Sequence, residues 1–272
     1  MQRAQPIPKT LRKRFGQHFL TDKESISAIV QIINPSKGQF FCEIGPGLGA
    51  LTLPVLKIVS TLHAIEIDRD LIKELKDKCN NIGTLNLHAV DVLKFDFNSI
   101  ADAHQPMRLI GNLPYNISTP LLFHLLSFSS IVIDLHFMLQ KEVVDRIVAN
   151  PGSSEYSRLS VMVQSHYDAE SLLDISPTMF SPPPKVNSSF MRLIPNETYN
   201  NKIKDRALFN KIVEIAFNQR RKTIKNSLSS IASKQQLENA SIDPTRRPQD
   251  ISISQYINLS NQLADLKLNT TY

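Results

Sequence analysis

The turn Gly45-Pro46-Gly47-Leu48-Gly49 follows one apolar run, Gln39–Ile44, and precedes another, Leu51–Val59. Glycines here let the chain turn tightly and let its backbone approach a ligand. A strand entering such a turn and a helix leaving it form the first unit of an open α/β sheet. That unit constrains the rest, because parallel strands need crossover connections, usually helices. The sequence alternates accordingly. Candidate strands are Gln39–Ile44, Thr61–Ile67, Leu85–Val90, Arg108–Gly111 and Ile131–Leu139. Helical patterns fall at Leu51–Val59, Asp70–Cys79, Pro120–Leu126 and Lys141–Ala149. In Asp70–Cys79, Leu71, Leu75 and the apolar stem of Lys78 recur at turn spacing. Ser118 or Thr119 is placed to cap Pro120–Leu126, with Pro120 just inside its start.

Near residue 200 the alternation ceases, after a strand at Ser189–Ile194 and a polar stretch at Pro195–Lys202. Helical periodicity takes over in Leu208, Ile212, Ile215 and Ala216, then Ile224 and Leu228, then Tyr256, Leu259 and Leu263. The expectation is an α/β domain with a mainly parallel, Rossmann-like sheet over residues 1–200 and a small all-helical domain over 201–272.

Acidic residues stand where open α/β sheets bind ligands, at the carboxyl ends of strands. Glu43 precedes the glycine turn. Glu66 closes the next strand, about twenty residues on, where a carboxylate accepts from ribose hydroxyls. Asp91 closes the third strand, placed for an adenine amine. Gly45-x-Gly47-x-x-Ala50 also fits a dinucleotide fingerprint, so a nicotinamide-binding reading stands as a rival. A carboxylate at Glu43, however, opposes a pyrophosphate and suits a sulfonium or an amino group. Three acidic strand ends around a glycine turn favour a nucleoside carrying an amino acid.

The fourth strand runs into Asn112-Leu113-Pro114-Tyr115. An adenine amine is a poor nucleophile because its lone pair is delocalised into the ring. An Asn oxygen and a backbone carbonyl, each accepting one amine hydrogen, pull the nitrogen toward a nucleophilic geometry. Pro114 suits the carbonyl role, with its fixed φ and missing N–H. Tyr115 offers an aromatic face to a base taken out of its stack. The product ammonium is acidic, so no strong base is required, and catalysis is mainly orientation and electrostatics. Asn and Pro are equally turn residues, and a plain strand-to-turn junction is the simpler alternative. Phe180-Ser181-Pro182-Pro183-Pro184-Lys185-Val186-Asn187-Ser188 presents a second aromatic on a proline-stiffened loop. It reads as either a clamp holding the base against Tyr115 or a rigid loop with a core-facing Phe.

These segments, with Arg14-Phe15-Gly16-Gln17-His18-Phe19-Leu20 and Asn218-Gln219-Arg220-Arg221-Lys222-Thr223, resemble the bacterial small-subunit ribosomal RNA adenine dimethyltransferases, the kasugamycin-sensitivity enzyme family. The resemblance spans nearly the whole chain. It implies a class I methyltransferase sheet using S-adenosyl-L-methionine. It also implies two successive methylations on each of two adjacent adenosines near the 3′ end of that RNA, within the assembling small subunit. It places cofactor contacts on His18, Leu20, Gly45, Glu66, Asp91 and Asn112, and the target base on Asn112, Pro114, Tyr115 and Phe180. The family usually carries Asn where this chain has His18, so a contact through the backbone survives and one through an amide does not.

Composition agrees with this class. The net charge of +6 favours a polyanionic partner. Arg3, Lys9, Arg12, Lys13 and Arg14 form a basic arm, Arg220, Arg221, Lys222 and Lys225 a second cluster, and Arg246-Arg247 a third. Such runs often mark solvated faces, but this chemistry demands phosphate contacts, which we assign to the first two. Two cysteines and scattered histidines support neither a disulfide framework nor a metal centre. No stretch reaches the roughly 18 apolar residues of a membrane span, and the basic N-terminal segment lacks a signal-peptide core, so a cytoplasmic location is expected. Alternatives are an enzyme dimethylating large-subunit ribosomal RNA, which confers antibiotic resistance, and a non-catalytic assembly or transcription factor on the same scaffold.

Overall fold

The computed structural model describes residues 17–269. In chain order come β1 (Phe19–Leu20), α1 (Lys23–Ile33), β2 (Phe41–Ile44), α2 (Thr52–Val59), β3 (Thr61–Ile65), α3 (Arg69–Cys79), β4 (Thr84–His88), β5 (Met107–Asn112), α4 (Ser118–Leu125), β6 (Val132–Gln140) and α5 (Lys141–Ile147). Then follow α6 (Arg158–Gln164), β7 (Tyr167–Ile175), β8 (Phe180–Ser181) and β9 (Ser188–Pro195). The last helices are α7 (Glu197–Asn200), α8 (Arg206–Asn218), α9 (Ile224–Ser227), α10 (Lys234–Asn239) and α11 (Ile253–Asn269).

The alternating part builds a seven-stranded sheet in the order β4-β3-β2-β5-β6-β9-β7. Strands β4 through β6 in that order pair in parallel, and β9 joins β6 antiparallel. Helices cover the parallel strands, so β2 is buried along its length and β5 up to Asn112. Ile29 and Ile33 of α1, Val55, Leu56 and Val59 of α2, and Leu75 and Cys79 of α3 pack with Phe41, Leu62, Ala64 and Ile110 of the sheet. The third apolar contact of α3 is therefore Cys79; Lys78 lies on the surface, bonded to Glu74 and to the Leu48 carbonyl. Neither Ser118 nor Thr119 caps α4. Ile117 holds the cap position, and the Ser118 hydroxyl donates to the Tyr115 carbonyl (2.8 Å).

Contacts divide the chain into two units, one reaching to Val144 and including Glu170–Ile194, the other made of Asp145–Ala169 with Pro195 onward. The division is not the single cut after residue 200 expected from the sequence. Residues 145–169 group with the helical segments through an Arg158–Glu214 ion pair (3.0 Å), a Gly152 N–H bond to the Gln249 carbonyl (2.8 Å) and Tyr156 against Phe217. In that second unit α8 buries Leu208, Phe209, Ile212, Val213 and Ala216, while Ile215 stays half-exposed. Ile224, Leu228, Tyr256, Leu259 and Leu263 are buried as the periodicity requires. Among the described residues no helix is long and apolar enough to cross a membrane.

One buried ion pair ties the middle of the sheet to α1. Arg108 on β5, 7% exposed, donates through Nε and Nη2 to Asp134 on β6, through Nη2 to the Ile33 carbonyl and through Nη1 to Gln39. Its guanidinium also lies over the Phe41 ring. Burial works against ionising Asp134, but the nearby His136 ring and the hydrogen bonds from Arg108 outweigh it and lower its pKa. Arg108→Met should strand that carboxylate in the interior and cost about 3–5 kcal/mol. Urea unfolding measures the loss, and Arg108→Met with Asp134→Leu should recover part of it.

Candidate active site

Neighbouring strands β2 and β5 lead to connections that run in opposite directions across the sheet. Their carboxyl ends therefore open the crevice where such sheets bind ligands. A cavity of about 230 Å³ lies there, within the first unit. The segment Gln17–Leu20, the glycine turn, Glu66, Asp91 and Asn112–Ile117 line it. The backbone reaches it only because side chains are missing at two points. Gly47 has φ +54° with the Phe19 ring against it, and a Cβ on Gly111 would collide with the Ile44 carbonyl oxygen.

The three acidic residues differ in what holds them. Glu66, just past β3, accepts from the N–H groups of Gly47 (3.3 Å), Ile67 (2.9 Å) and Asp68 (3.0 Å). Burial raises its pKa, and these donors work against that rise. Asp91, three residues past β4, caps a single 3-10 turn by accepting from Leu93 N–H (3.0 Å). Glu43, within β2, is 2% exposed, and its Oε2 has no hydrogen-bond partner. Burial, helped by the nearby charge of Glu66, pushes its pKa up to about 8.

At the end of β5 the Asn112 amide nitrogen donates to the His18 carbonyl (2.9 Å). Because a carbonyl only accepts, this bond assigns the amide orientation and leaves Oδ1 as the free acceptor. The Pro114 carbonyl accepts from Ile117 N–H (3.1 Å) and keeps a second lone pair. Tyr115 bonds through its hydroxyl to Ser188 (2.6 Å), and its ring stacks with that of His18 at 5.6 Å. His18 in turn donates from Nδ1 to the Pro182 carbonyl (2.8 Å). The His18 carbonyl thus holds Asn112 irrespective of the side chain, while the imidazole adds an aromatic neighbour for Tyr115. Ser188 was not singled out as a partner, although it closes the proline-rich segment.

Phe180 is not at the cavity. It pairs with Leu20 across the short β1–β8 ladder, is 3% exposed, and packs in the core cluster with Ile175, Met138 and Phe190. The core-facing alternative describes this structure, and the clamp does not. The ladder turns Phe180 to the same side as Leu20, toward the core, and Tyr115 meets His18 instead.

The model of the family described as ribosomal RNA adenine dimethylase matches residues 9–265. The chain belongs to this family. The ribosomal RNA small subunit methyltransferase A of Thiobacillus denitrificans is 50% identical over 94% of this chain and 98% of its own, and that of Chromobacterium violaceum 48% over 93% and 96%. A dimethyladenosine transferase from Plasmodium falciparum shares the fold, with a TM-score of 0.76 at 24% identity, covering 91% of this chain and 98% of its own.

As a family member the chain is an S-adenosylmethionine-dependent ribosomal RNA methyltransferase. The cavity suits that cofactor: carboxylates at three strand ends offer acceptors to hydroxyls and amines, and Glu43 Oε2 is a buried acceptor still lacking a donor. Glu66→Ala should weaken S-adenosylmethionine binding by roughly 10- to 100-fold, the cost of a lost charge-assisted hydrogen bond, as measured by calorimetry.

Proposed function

We propose that this dimethylase transfers methyl groups to two adjacent adenosines near the 3′ end of small-subunit ribosomal RNA, acting in the cytoplasm on the assembling small subunit. The observation that carries the chemistry is the Asn112 amide, whose nitrogen is held by His18 and whose oxygen is left to accept from an amine. Relatives about half identical along nearly their whole length carry small-subunit names, and this favours the small-subunit over the large-subunit RNA.

When bound, S-adenosylmethionine supplies an electrophilic methyl group. Asn112 Oδ1 and the free lone pair of the Pro114 carbonyl would take the two amine hydrogens and aim the nitrogen lone pair. The Tyr115 ring, steadied by His18 and by the bond to Ser188, would bear on the base. Glu66 and Asp91 would receive ribose and adenine of the cofactor, with Leu20 and Gly45 as walls. After one methyl is added the amine has a single hydrogen left, so the pocket must hold the base by its ring while its substituents rotate.

Phosphate contacts fall to exposed cations of the helical unit. Arg221, Lys222, Lys225, Arg246 and Arg247 are exposed, and bonds from Ile224 N–H to the Arg246 carbonyl and from Lys225 N–H to the Pro244 carbonyl draw their two segments together. Arg220 is instead tied to the Ser154 and Tyr156 carbonyls. The basic arm, Arg3 to Arg14, lies outside the described residues.

Small subunits lacking these methyl groups should accept them from the purified enzyme at two neighbouring adenosines, mapped by primer extension. Methylation confined to large-subunit RNA would overturn the reading. Asn112→Ala should lower turnover by on the order of 10²-fold, with cofactor affinity changed only a few-fold.

A further inference from the structure

Of the three carboxylates at the cofactor cavity, the two glutamates are treated differently by the protein. Glu66 has three backbone N–H donors that stabilise its ionised form. Glu43 has none. It is the more buried of the two, and its Oε2 is left without a partner. Among the described residues its surroundings offer no compensating cation. Just past β3 stands the like charge of Glu66, α2 brings the Thr52 hydroxyl, which opposes the shift without cancelling it, and α3 brings the thiol of Cys79. The thiol of Cys42 adjoins it on its own strand. Both thiols are themselves held above their ordinary pKa by burial and by Glu43, so neither carries charge at neutral pH. An isolated carboxylate in such a place takes a proton rather than remain charged.

We propose that Glu43 is a proton-exchanging counter-charge for the cofactor, holding a proton in the cofactor-free enzyme and releasing it to solvent when the cationic end of S-adenosylmethionine enters the cavity. The cation supplies the compensation the protein withholds, so the O–H bond breaks and the carboxylate persists only in the complex. Charge is conserved: one positive charge enters the cavity and one proton leaves. The same exchange biases the site toward a cationic ligand, since a neutral or anionic one gives Glu43 no reason to ionise. This rests on the cavity being the cofactor's.

Linkage makes the proposal measurable. The raised pKa means that Glu43 favours the folded, cofactor-free enzyme at low pH and that this contribution fades as pH rises from the ordinary 4.5 through about 8. Cofactor affinity should run the other way, rising about tenfold per pH unit while Glu43 is protonated and levelling near its pKa. The experiment is titration calorimetry of the full-length enzyme with S-adenosylmethionine at about pH 6.5, below the range where the ligand's amino group titrates, in buffers of differing ionisation enthalpy.

Wild type should release about one proton per bound cofactor. Glu43→Gln, the neutral isostere of the protonated acid, should release none, and Glu66→Gln should retain the release. Binding without release by wild type, or unchanged release by Glu43→Gln, overturns the proposal. Failure of wild type to bind at all would remove the cofactor from this cavity, a result distinct from binding without proton release. Should Glu43→Gln bind too weakly to titrate, wild-type affinity against pH decides: a flat profile between pH 6 and 7 refutes the exchange.

Discussion

One hydrogen bond, from the Asn112 amide to the His18 carbonyl, joins the two halves of the site. It is a bond between a side chain at the end of a central strand and the backbone of a segment 94 residues earlier. Without it the amide is free to flip, and an amide presented nitrogen-first would repel the very hydrogens it is there to accept. The bond makes orientation a property of the fold rather than of ligand binding. The price is that the His18 backbone must be held in place, and the β1–β8 ladder, the His18–Pro182 bond and the His18–Tyr115 stack do so.

Much of the sheet was legible because parallel strands are buried on both faces and appear as short apolar runs between helical patterns. The α1 helix leaves a fainter trace: Asp22 caps it, but of its residues only Ile29 and Ile33 are buried, a single helical repeat too short to stand out by periodicity. Strand β7 was harder: only its two ends are buried, and its middle, Asp168–Asp174, carries polar residues that break the alternation. The unit boundary was not readable at all. Residues 145–169 carry the same local signals as the α/β part, and only long-range partners such as Glu214 and Gln249 assign them to the other unit.

At the site, residue type and strand-end position were enough to gather Gly45, Glu66, Asp91, Asn112, Pro114 and Tyr115 at one cavity, with His18 and Leu20 beside them. Phe180 shows the limit of that logic. An aromatic on a proline-rich loop has two plausible destinations, and the choice depends on a two-residue strand pairing too short to leave a periodic pattern. The contrast between Glu43 and Glu66 was equally hidden. Both are acids near a glycine turn, and only the placement of three backbone N–H groups separates a held carboxylate from an unsupported one.

The β1–β8 ladder also sets a schedule for the newborn chain. His18 and Pro182 are 164 residues apart, so the cavity wall that His18 carries cannot be secured until the proline-rich segment has left the ribosome. At synthesis rates of roughly 5–20 residues per second that interval is roughly ten to thirty seconds, during which the central strands can pair while the cavity stays open on one side. Cofactor capture is thereby placed among the later events of the first unit's maturation, after its parallel strands exist. An enzyme that modifies ribosomal RNA thus depends, for its own pocket, on how far a ribosome has read.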